Sequence, residues 1–214
     1  MTMQSGVVVG VVERRDDPRK EGRVTLRYKW LPGAPVSGWA PIAQPLAGAK
    51  RGAWLMPEKG DEVLVAFEKG RFDNPYVVGF LHNGSHKPPD TDLQHRVIVT
   101  PGGHELRFED NDKKKQIIIS TAGKHVITLT DKDNAMKVSI ESSKHHLIEI
   151  DDVANAITVK TSGNQSVTLT DSPAAITLTT SGKQSVTLAD SPAAITLDGG
   201  GRKITLQGGK VAIT

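Results

Sequence analysis

The chain of 214 residues contains no cysteine, so neither a disulfide framework nor thiol redox chemistry can be argued for it. Its longest unbroken apolar runs have three to five residues, which is too short for a membrane-spanning helix. The opening MTMQSGVVVG has neither the basic region nor the long apolar core of a secretory signal. No segment keeps a 3.6-residue apolar period, so no helix is predicted.

The residue patterns of catalysis are also missing. Three glycines at 199–201 follow a strand pattern but open no helix, so they do not form a phosphate-binding loop. The aspartates of the repeats described below end strands at turns, where aspartate ordinarily bonds backbone N–H groups. No pair of carboxylates across a cleft is indicated, as glycoside hydrolysis would need. The sequence therefore predicts a protein that is not an enzyme, with no catalytic residue and no cofactor.

A repeat occupies the second half of the chain. Residues Ser162–Thr180 read SGNQSVTLTDSPAAITLTT, and Ser181–Gly199 read SGKQSVTLADSPAAITLDG. Degenerate copies precede them, and a short β-forming run ends on an aspartate in each copy, at Asp110, Asp131, Asp152, Asp171 and Asp190. A fixed period of strand and tight turn indicates a stacked β array.

Each strand of the repeat is short and has one thin apolar face, with threonine, serine and lysine on the other. A ribbon of such strands cannot bury that face alone, so it must stack on itself as a solenoid or pair with copies of itself. The thin stripe favours a narrow β-helix or β-prism built as an intertwined homotrimer. The predicted trimer core comprises Ile127, Leu129, Ile148, Val167, Leu169, Ile176, Leu178, Val186, Leu188, Ile195 and Leu197.

The first ninety residues differ in composition, because eight of the nine aromatic residues lie at or before Phe80. Alternating apolar runs separated by turn signals predict five strands, at Val7–Glu13, Arg23–Trp30, Trp39–Gln44, Glu62–Glu68 and Tyr76–Leu81. Five strands around a concentrated aromatic core are typical of a small closed barrel of the OB type. The predicted fold is therefore all-β, with an OB-fold barrel at 1–86, a linker at 87–96 and a repetitive needle at 97–214.

Three runs of the front part carry a resemblance to a known family. They are GRVTLRYKWLPG at Gly22–Gly33, GWAPIAQPLAG at Gly38–Gly48 and GAWLMPEKGDEVLVAFEKGRFDNPYVVGFLHNG at Gly52–Gly84. They closely resemble the OB domain of the baseplate spike family, which includes phage baseplate assembly protein V, the central spike of T4-like phages and the VgrG proteins of type VI secretion. The resemblance covers roughly residues 5 to 86. The repeats from about residue 96 onward are similar in architecture to the β-helical needle of those proteins.

The resemblance implies the homotrimeric central spike of a contractile injection machine (a phage baseplate, a tailocin or a type VI-like device) that caps the tail tube and pierces the target cell envelope. Because the chain begins at the OB domain, a separate tail hub protein, with tube or baseplate proteins, is expected at that end. The C-terminal QGGKVAIT lacks the His-x-His pair of some phage spikes, so a PAAR-type tip protein is expected there. Such a chain would be assembled in the cytoplasm of the producing cell, reside in the virion baseplate or injection particle, and contact the target membrane transiently.

Two other functions are compatible with parts of the sequence. The net charge of +3 and the basic clusters Arg14–Arg15, Arg19–Lys20 and Lys113–Lys115 suggest a nucleic-acid-binding OB module. Acidic residues lie within or beside these clusters and cancel most of their positive field, so no nucleic acid is expected as a partner; they are Asp16, Asp17, Glu21, Asp110 and Asp112. The other alternative is a trimeric β-fibre adhesin or receptor-binding protein. Such fibres usually end in an aromatic-rich tip, whereas this chain ends in KVAIT.

Three histidines are the basis of the one hypothesis of metal binding. His104, His125 and His146 each lie six residues before a repeat aspartate and share the parity of the apolar strand face, and Gln165 and Gln184 take their place in the later copies. In a trimer they would form a ladder of rings along the axis that could hold water or an ion. The competing interpretation places them at partly solvated corners where each strand leaves its turn.

Overall fold

The computed structural model of the protein describes residues 6–213. Its contacts divide the chain into two compact units, one up to Pro88 and the other from Pro89 onward. The regular structure of both is β, apart from a three-residue 3-10 turn at Glu68–Gly70. The predicted all-β class is therefore confirmed. Within residues 6–213, no helix has the length and apolar composition that a membrane span requires.

The first unit contains six strands, β1 Val7–Arg14, β2 Thr25–Arg27, β3 Ala47–Gly48, β4 Arg51–Gly52, β5 Glu62–Phe67 and β6 Pro75–Leu81. Four of them form an antiparallel sheet in the order β2-β1-β5-β6, and β3 pairs with β4 in a small hairpin. The strand predicted at Trp39–Gln44 is wrong as a continuous strand, because only isolated bridges occur there, at Ala40 and Ile42. Pro41 and Pro45 lack the N–H donors that a continuous ladder needs.

The core of the first unit is more aliphatic than the sequence suggested. Its fully or nearly buried hydrophobic residues are Val12, Val24, Leu26, Tyr28, Ala40, Val63, Val65, Phe67 and Val77. Trp54 and Phe80, in contrast, are 69% and 49% exposed, so the expectation that the aromatic residues fill the barrel is only partly right. Phe80 lies on the outward face of β6, whereas Val77 of the same strand faces inward.

The second unit is one sheet of thirteen antiparallel strands that follow one another in sequence order. Every strand between the two ends therefore pairs with its predecessor and its successor along the chain. The strands are β7 His95–Val99, β8 Glu105–Asn111, β9 Lys114–Ser120, β10 Val126–Thr130, β11 Lys137–Glu141, β12 Leu147–Asp151, β13 Ala156–Lys160, β14 Ser166–Asp171, β15 Ala174–Thr179, β16 Ser185–Asp190, β17 Ala193–Asp198, β18 Lys203–Gln207 and β19 Lys210–Ile213. β7 begins two residues inside the segment that the sequence assigned to the linker.

Five turns of one design connect these strands along one edge of the sheet. They span residues 100–104, 121–125, 142–146, 161–165 and 180–184. In each, the hydroxyl of the first residue, Thr or Ser, accepts a hydrogen bond from the backbone N–H of the fifth at 3.0–3.2 Å. The fourth residue is left-handed, with φ between 62° and 78° at Gly103, Lys124, His145, Asn164 and Lys183. The turn therefore depends on the hydroxyl and on one backbone conformation, which explains why the other positions vary.

Candidate functional site: an apolar sheet face

Strand alternation and pairing register build two continuous apolar rows on one face of the thirteen-stranded sheet. The first row takes one residue from each of the thirteen strands, and the second takes one from each of β8 to β19, since Arg96 of β7 stands opposite Phe108. The members of each row are paired across the sheet. The first row is Ile98, Leu106, Ile119, Ile127, Ile140, Ile148, Val159, Val167, Leu178, Val186, Leu197, Ile204 and Ile213. The second row is Phe108, Ile117, Leu129, Val138, Ile150, Ile157, Leu169, Ile176, Leu188, Ile195, Leu206 and Val211.

These rows are uncovered. Among the described residues, the buried hydrophobic side chains all lie in the first unit, whereas side chains of the rows such as Ile140, Leu178 and Ile195 are 44–46% exposed. Soluble monomers rarely expose a contiguous apolar surface of more than a few hundred Å². The described part of the sheet has no buried core within one chain, and an uncovered apolar face of this extent is typical of a surface that associates with other chains.

All eleven residues that the sequence assigned to a trimer core lie in these two rows. The first row holds Ile127, Ile148, Val167, Leu178, Val186 and Leu197, and the second holds Leu129, Leu169, Ile176, Leu188 and Ile195. The structure thus brings them together on one face. Their burial between three chains stays a prediction.

Sequence reasoning missed about half of the rows. The missing members include Ile117, Ile119, Val138 and Ile140, which lie on β9 and β11 of the degenerate copies. The signal was present in β11, where KVSIE alternates apolar with polar residues, whereas β9 carries three consecutive isoleucines at 117–119. It was hidden by the longer turns that precede these strands, which shift them relative to the later copies.

The three histidines of the proposed ladder are the fifth residues of their turns and are exposed in the described chain. The Nδ1 atom of His125 accepts a hydrogen bond from the N–H of Ser143 in the next turn at 3.4 Å, and that of His146 accepts one from Ser162 at 3.3 Å. His125 and His146 therefore link neighbouring turns along one edge of the sheet. Within residues 6–213, no three His, Asp or Glu side chains are grouped so that they could hold a metal ion. The ion ladder stays a prediction for the assembled trimer.

A charged cluster lies at the start of the sheet, on the face opposite the apolar rows. His95 on β7 contacts Asp90 through Nδ1 at 2.9 Å and Asp92 through Nε2 at 3.5 Å, and its side chain is only 13% exposed. Arg107 on β8 reaches the same oxygen of Asp90 at 3.0 Å. Hydrogen bonds from the N–H of Asp92 and from His95 lower the pKa of Asp90 to about 2. The cluster fastens the segment before β7 onto the sheet.

A second charged group lies further along the same face. The Nζ atom of Lys137 is 3.3 Å from carboxylate oxygens of both Glu149 and Asp151. Hydrogen bonds to Asp151 and to Glu149 raise the pKa of Lys137. These two groups of paired charges thus lie on the face that the apolar rows leave free, whereas Arg96, Asp110 and Lys115 share the strand parity of the rows.

Basic residues of the first unit are likewise neutralised by acidic neighbours. Arg14 pairs with Asp16 at 2.9 Å, and Arg23 pairs with Asp17 at 2.8 Å. Arg15 contacts Glu58. These pairs reduce the positive field that an OB barrel would need to attract a nucleic-acid backbone.

Comparison with known proteins gives matches in both units. Residues 8–82 match the type VI secretion system/phage-baseplate injector OB domain. Residues 156–214 match the phage baseplate V C-terminal trimerisation domain. The second match covers β13 to β19 and therefore the part of the apolar rows in which the repeat is most regular.

Similar proteins include three VgrG proteins. The actin cross-linking toxin VgrG1 of Vibrio cholerae is 31% identical over 112 residues, which are 47% of this chain and 10% of that protein. The type VI secretion system spike proteins VgrG4b and VgrG5 of Pseudomonas aeruginosa are 30% and 33% identical over 129 residues, which are 54% of this chain and 16% of each of those proteins. The chain thus spans a sixth or less of the length of these relatives. With an injector OB domain at its start and a baseplate V trimerisation domain at its end, the chain belongs to the family of phage baseplate V and VgrG-like spike proteins.

Proposed function

We propose that this chain is the structural central spike of a contractile injection machine, which closes the end of a tail tube and pierces the envelope of a target cell. The observation that carries the proposal is the pair of uncovered apolar rows in a sheet that matches a trimerisation domain over its last seven strands. The injector OB domain in the first unit supports the same function.

In the proposed trimer, three copies of the sheet turn their apolar rows toward a common axis. Each inner strand already pairs with its two neighbours in the same chain, so the association works through side chains. Exchange of strands between chains, in the sense of intertwining, is not needed to bury the rows. Thirteen rungs at ~4.8 Å give a sheet about 62 Å long, held along its length by hydrogen bonds. A stiff rod of this kind transmits force that another component generates.

The chain is proposed to act without catalysis. One relative is named an actin cross-linking toxin, but the matched residues are 10% of that protein, so its activity does not carry over to this chain. The paired charges of Arg107 and Lys137 occupy the face opposite the apolar rows, whereas Arg96 of β7 shares the face of the rows as the partner of Phe108.

The partners follow from the spike function and are part of the proposal. A tail hub protein, with tube or baseplate proteins, would bind at the OB end, and a PAAR-type tip protein would bind near the C-terminal strand. The target membrane would be contacted transiently. Assembly would take place in the cytoplasm of the producing cell, and the spike would then reside in a phage baseplate or an injection particle.

The test is the solution mass of the purified chain, measured by light scattering, with a pair of adjacent substitutions. Wild type and Thr168→Glu are expected to have the mass of three chains, because Thr168 lies on the face opposite the rows. Leu169→Glu places three carboxylates in the shared core and is expected to abolish the trimer. A monomeric wild type would overturn the spike proposal. Equal masses for the two variants would show that the apolar rows are not the association surface.

A further inference from the structure

The face of the second sheet opposite the apolar rows has two halves that differ in charge. Two adjacent rows run along this face from β7 to β18, and their members are paired strand by strand. In β7 to β12 these rows carry His95, Arg107, Glu109, Lys137, Glu149 and Asp151. In β13 to β18 they carry no charged residue. We call these twelve positions the neutral zone; they are Thr158, Thr168, Thr177, Thr187, Thr196, Thr205, Ala156, Thr170, Ala175, Ala189, Ala194 and Gln207.

Six threonines form an unbroken row through the middle of the neutral zone, and small residues flank it on one side. Within β13 to β18, the third row of this face carries three charged residues, Lys160 at one end and Asp198 and Lys203 at the other. Other charged side chains of the region lie at the two edges of the sheet, either at the end of a strand, as Asp190 of β16 does, or in a turn, as Lys183 does. The middle of the face is therefore flat, small in side-chain volume and electrically neutral.

The length of the neutral zone equals that of a membrane interior. Six strands spaced by ~4.8 Å cover about 29 Å, and the hydrocarbon core of a bilayer is about 30 Å thick. None of these six strands is an edge strand, so their backbone N–H and C=O groups are paired within the sheet. A surface that meets hydrocarbon must satisfy its backbone groups internally and must avoid charge.

We propose that the neutral zone is the part of the spike that faces the lipid acyl chains while the spike crosses a bilayer, and that the charged first half of the sheet stays on the aqueous side. This inference rests on the proposed spike function, because it requires three sheets with their apolar rows turned inward. Threonine and alanine enter hydrocarbon at a far smaller free-energy cost than lysine or aspartate, so removing charge from this zone eases the passage.

Force spectroscopy on a supported phosphatidylcholine bilayer tests the inference. The chain has no cysteine, so Ser85→Cys in the first unit gives one thiol in each chain for coupling the trimer to a cantilever. The measured quantity is the force at which the tip breaks through the bilayer. The test variant is Thr177→Lys with Thr187→Lys. One control is Thr177→Gln with Thr187→Gln, and the matched control in the charged half is Thr128→Lys with Ser139→Lys, which occupy the same row.

Wild type is expected to lower the breakthrough force relative to a tip that carries an inert globular protein. The lysine pair in the neutral zone should abolish this reduction, whereas both controls should keep it. If wild type does not lower the force, the piercing function itself is overturned. If wild type and the variant with lysines in the neutral zone both lower the breakthrough force, only the inference about the neutral zone is overturned. A loss with the glutamine pair would also overturn it, because charge would then not be the cause.

Each variant is first required to show the mass of three chains by light scattering. Should Thr177→Lys with Thr187→Lys fail to assemble, Thr168→Lys with Thr196→Lys places the same charges in the same row, with the same expected and contradicting outcomes.

Discussion

Asp17 shows how one side chain organises a loop of the first unit. Its carboxylate accepts hydrogen bonds from the N–H groups of Arg19 and Glu21 and from the guanidinium of Arg23 at 2.8 and 3.0 Å. Its side chain is 3% exposed. The guanidinium of Arg23, followed by these N–H groups, holds the pKa of Asp17 well below its ordinary value of 3.8. The ionised carboxylate therefore stabilises the folded loop between β1 and β2.

Asp17→Asn is expected to lower the urea midpoint of the first unit near neutral pH. Because the pKa of Asp17 is lower in the folded chain than in the unfolded one, its stabilisation is complete above pH 3.8 and is lost as the pH falls through the lower, folded-state pKa. The difference between wild type and variant should therefore shrink in acid. Tryptophan fluorescence measures this unit alone, since all three tryptophans lie in it. Asp16→Asn is the control, because Asp16 is 70% exposed; an equal effect there would contradict the role of Asp17.

Tyr28 is a buried residue whose hydroxyl contributes no hydrogen bond within the described chain. The side chain is fully buried, and its oxygen has no partner among residues 6–213. Burial raises the pKa of Tyr28 to about 12. The ring packs against Phe72 with 5.1 Å between centroids, so its contribution is that of an aromatic core residue.

Tyr28→Phe is therefore expected to leave the stability of the first unit unchanged or to raise it by up to about 1–3 kcal/mol, the cost of an unsatisfied buried polar group. The measurement is urea unfolding followed by tryptophan fluorescence. Tyr76→Phe, at a 40% exposed tyrosine, is the matched control and should change nothing. A clear loss of stability with Tyr28→Phe alone would mean that the hydroxyl has a bound partner such as water.

At the scale of the element, the turns between strands carry information that the strand pattern does not. The hydroxyls of Thr161 and Thr180 accept hydrogen bonds from the backbone N–H groups of Gln165 and Gln184, each at 3.2 Å. Thr161→Val with Thr180→Val keeps the shape but removes both acceptors, and should cost about 1 kcal/mol per turn. Thermal unfolding followed by circular dichroism at fixed chain concentration measures the loss.

Two controls separate the hydroxyl from the strand propensity. Thr161→Ser with Thr180→Ser keeps the acceptors and should restore most of the stability. Thr158→Val with Thr177→Val changes threonines in the middle of strands, which have no turn to support. If these strand substitutions cost as much as the turn substitutions, the turn hydroxyls do not have the role assigned to them.

Strands could be predicted from the sequence where apolar and polar residues alternate without interruption. The repeat Ser162–Gly199 predicted its four strands, β14 to β17, because two or three alternating apolar residues bounded by turn signals specify a short strand. The run Trp39–Gln44 is apolar up to Ala43 and does not alternate, and its proline leaves only isolated bridges there. Alternation indicates the direction in which side chains point, whereas pairing with neighbouring strands also requires backbone N–H donors.

For the whole molecule, the two units are expected to differ in how their stability depends on chain concentration. The first unit has its own buried core, whereas the described part of the second buries no hydrophobic side chain within one chain. Association therefore supplies the burial that stabilises the second unit, and its melting temperature should rise with chain concentration.

Parallel melts by circular dichroism and tryptophan fluorescence over a wide range of concentrations check this prediction. The transition of the second unit should shift, and the fluorescence transition of the first should shift less. A melting temperature of the second unit that does not change with concentration would mean that this sheet is stable within one chain.

The sequence by itself determined the all-β class, the repeat, the strand faces and the family resemblance, because side-chain alternation, turn residues and motifs are local properties of the chain. Only the tertiary structure decided the register. Register joins the apolar side chains of successive strands into two rows, separates charged from neutral positions on the opposite face, and places His95 opposite Glu109. A shift of pairing by one residue would move every side chain to the other face without changing the local pattern. For that reason, the association surface could be anticipated residue by residue, but its continuity could be known only from the paired strands.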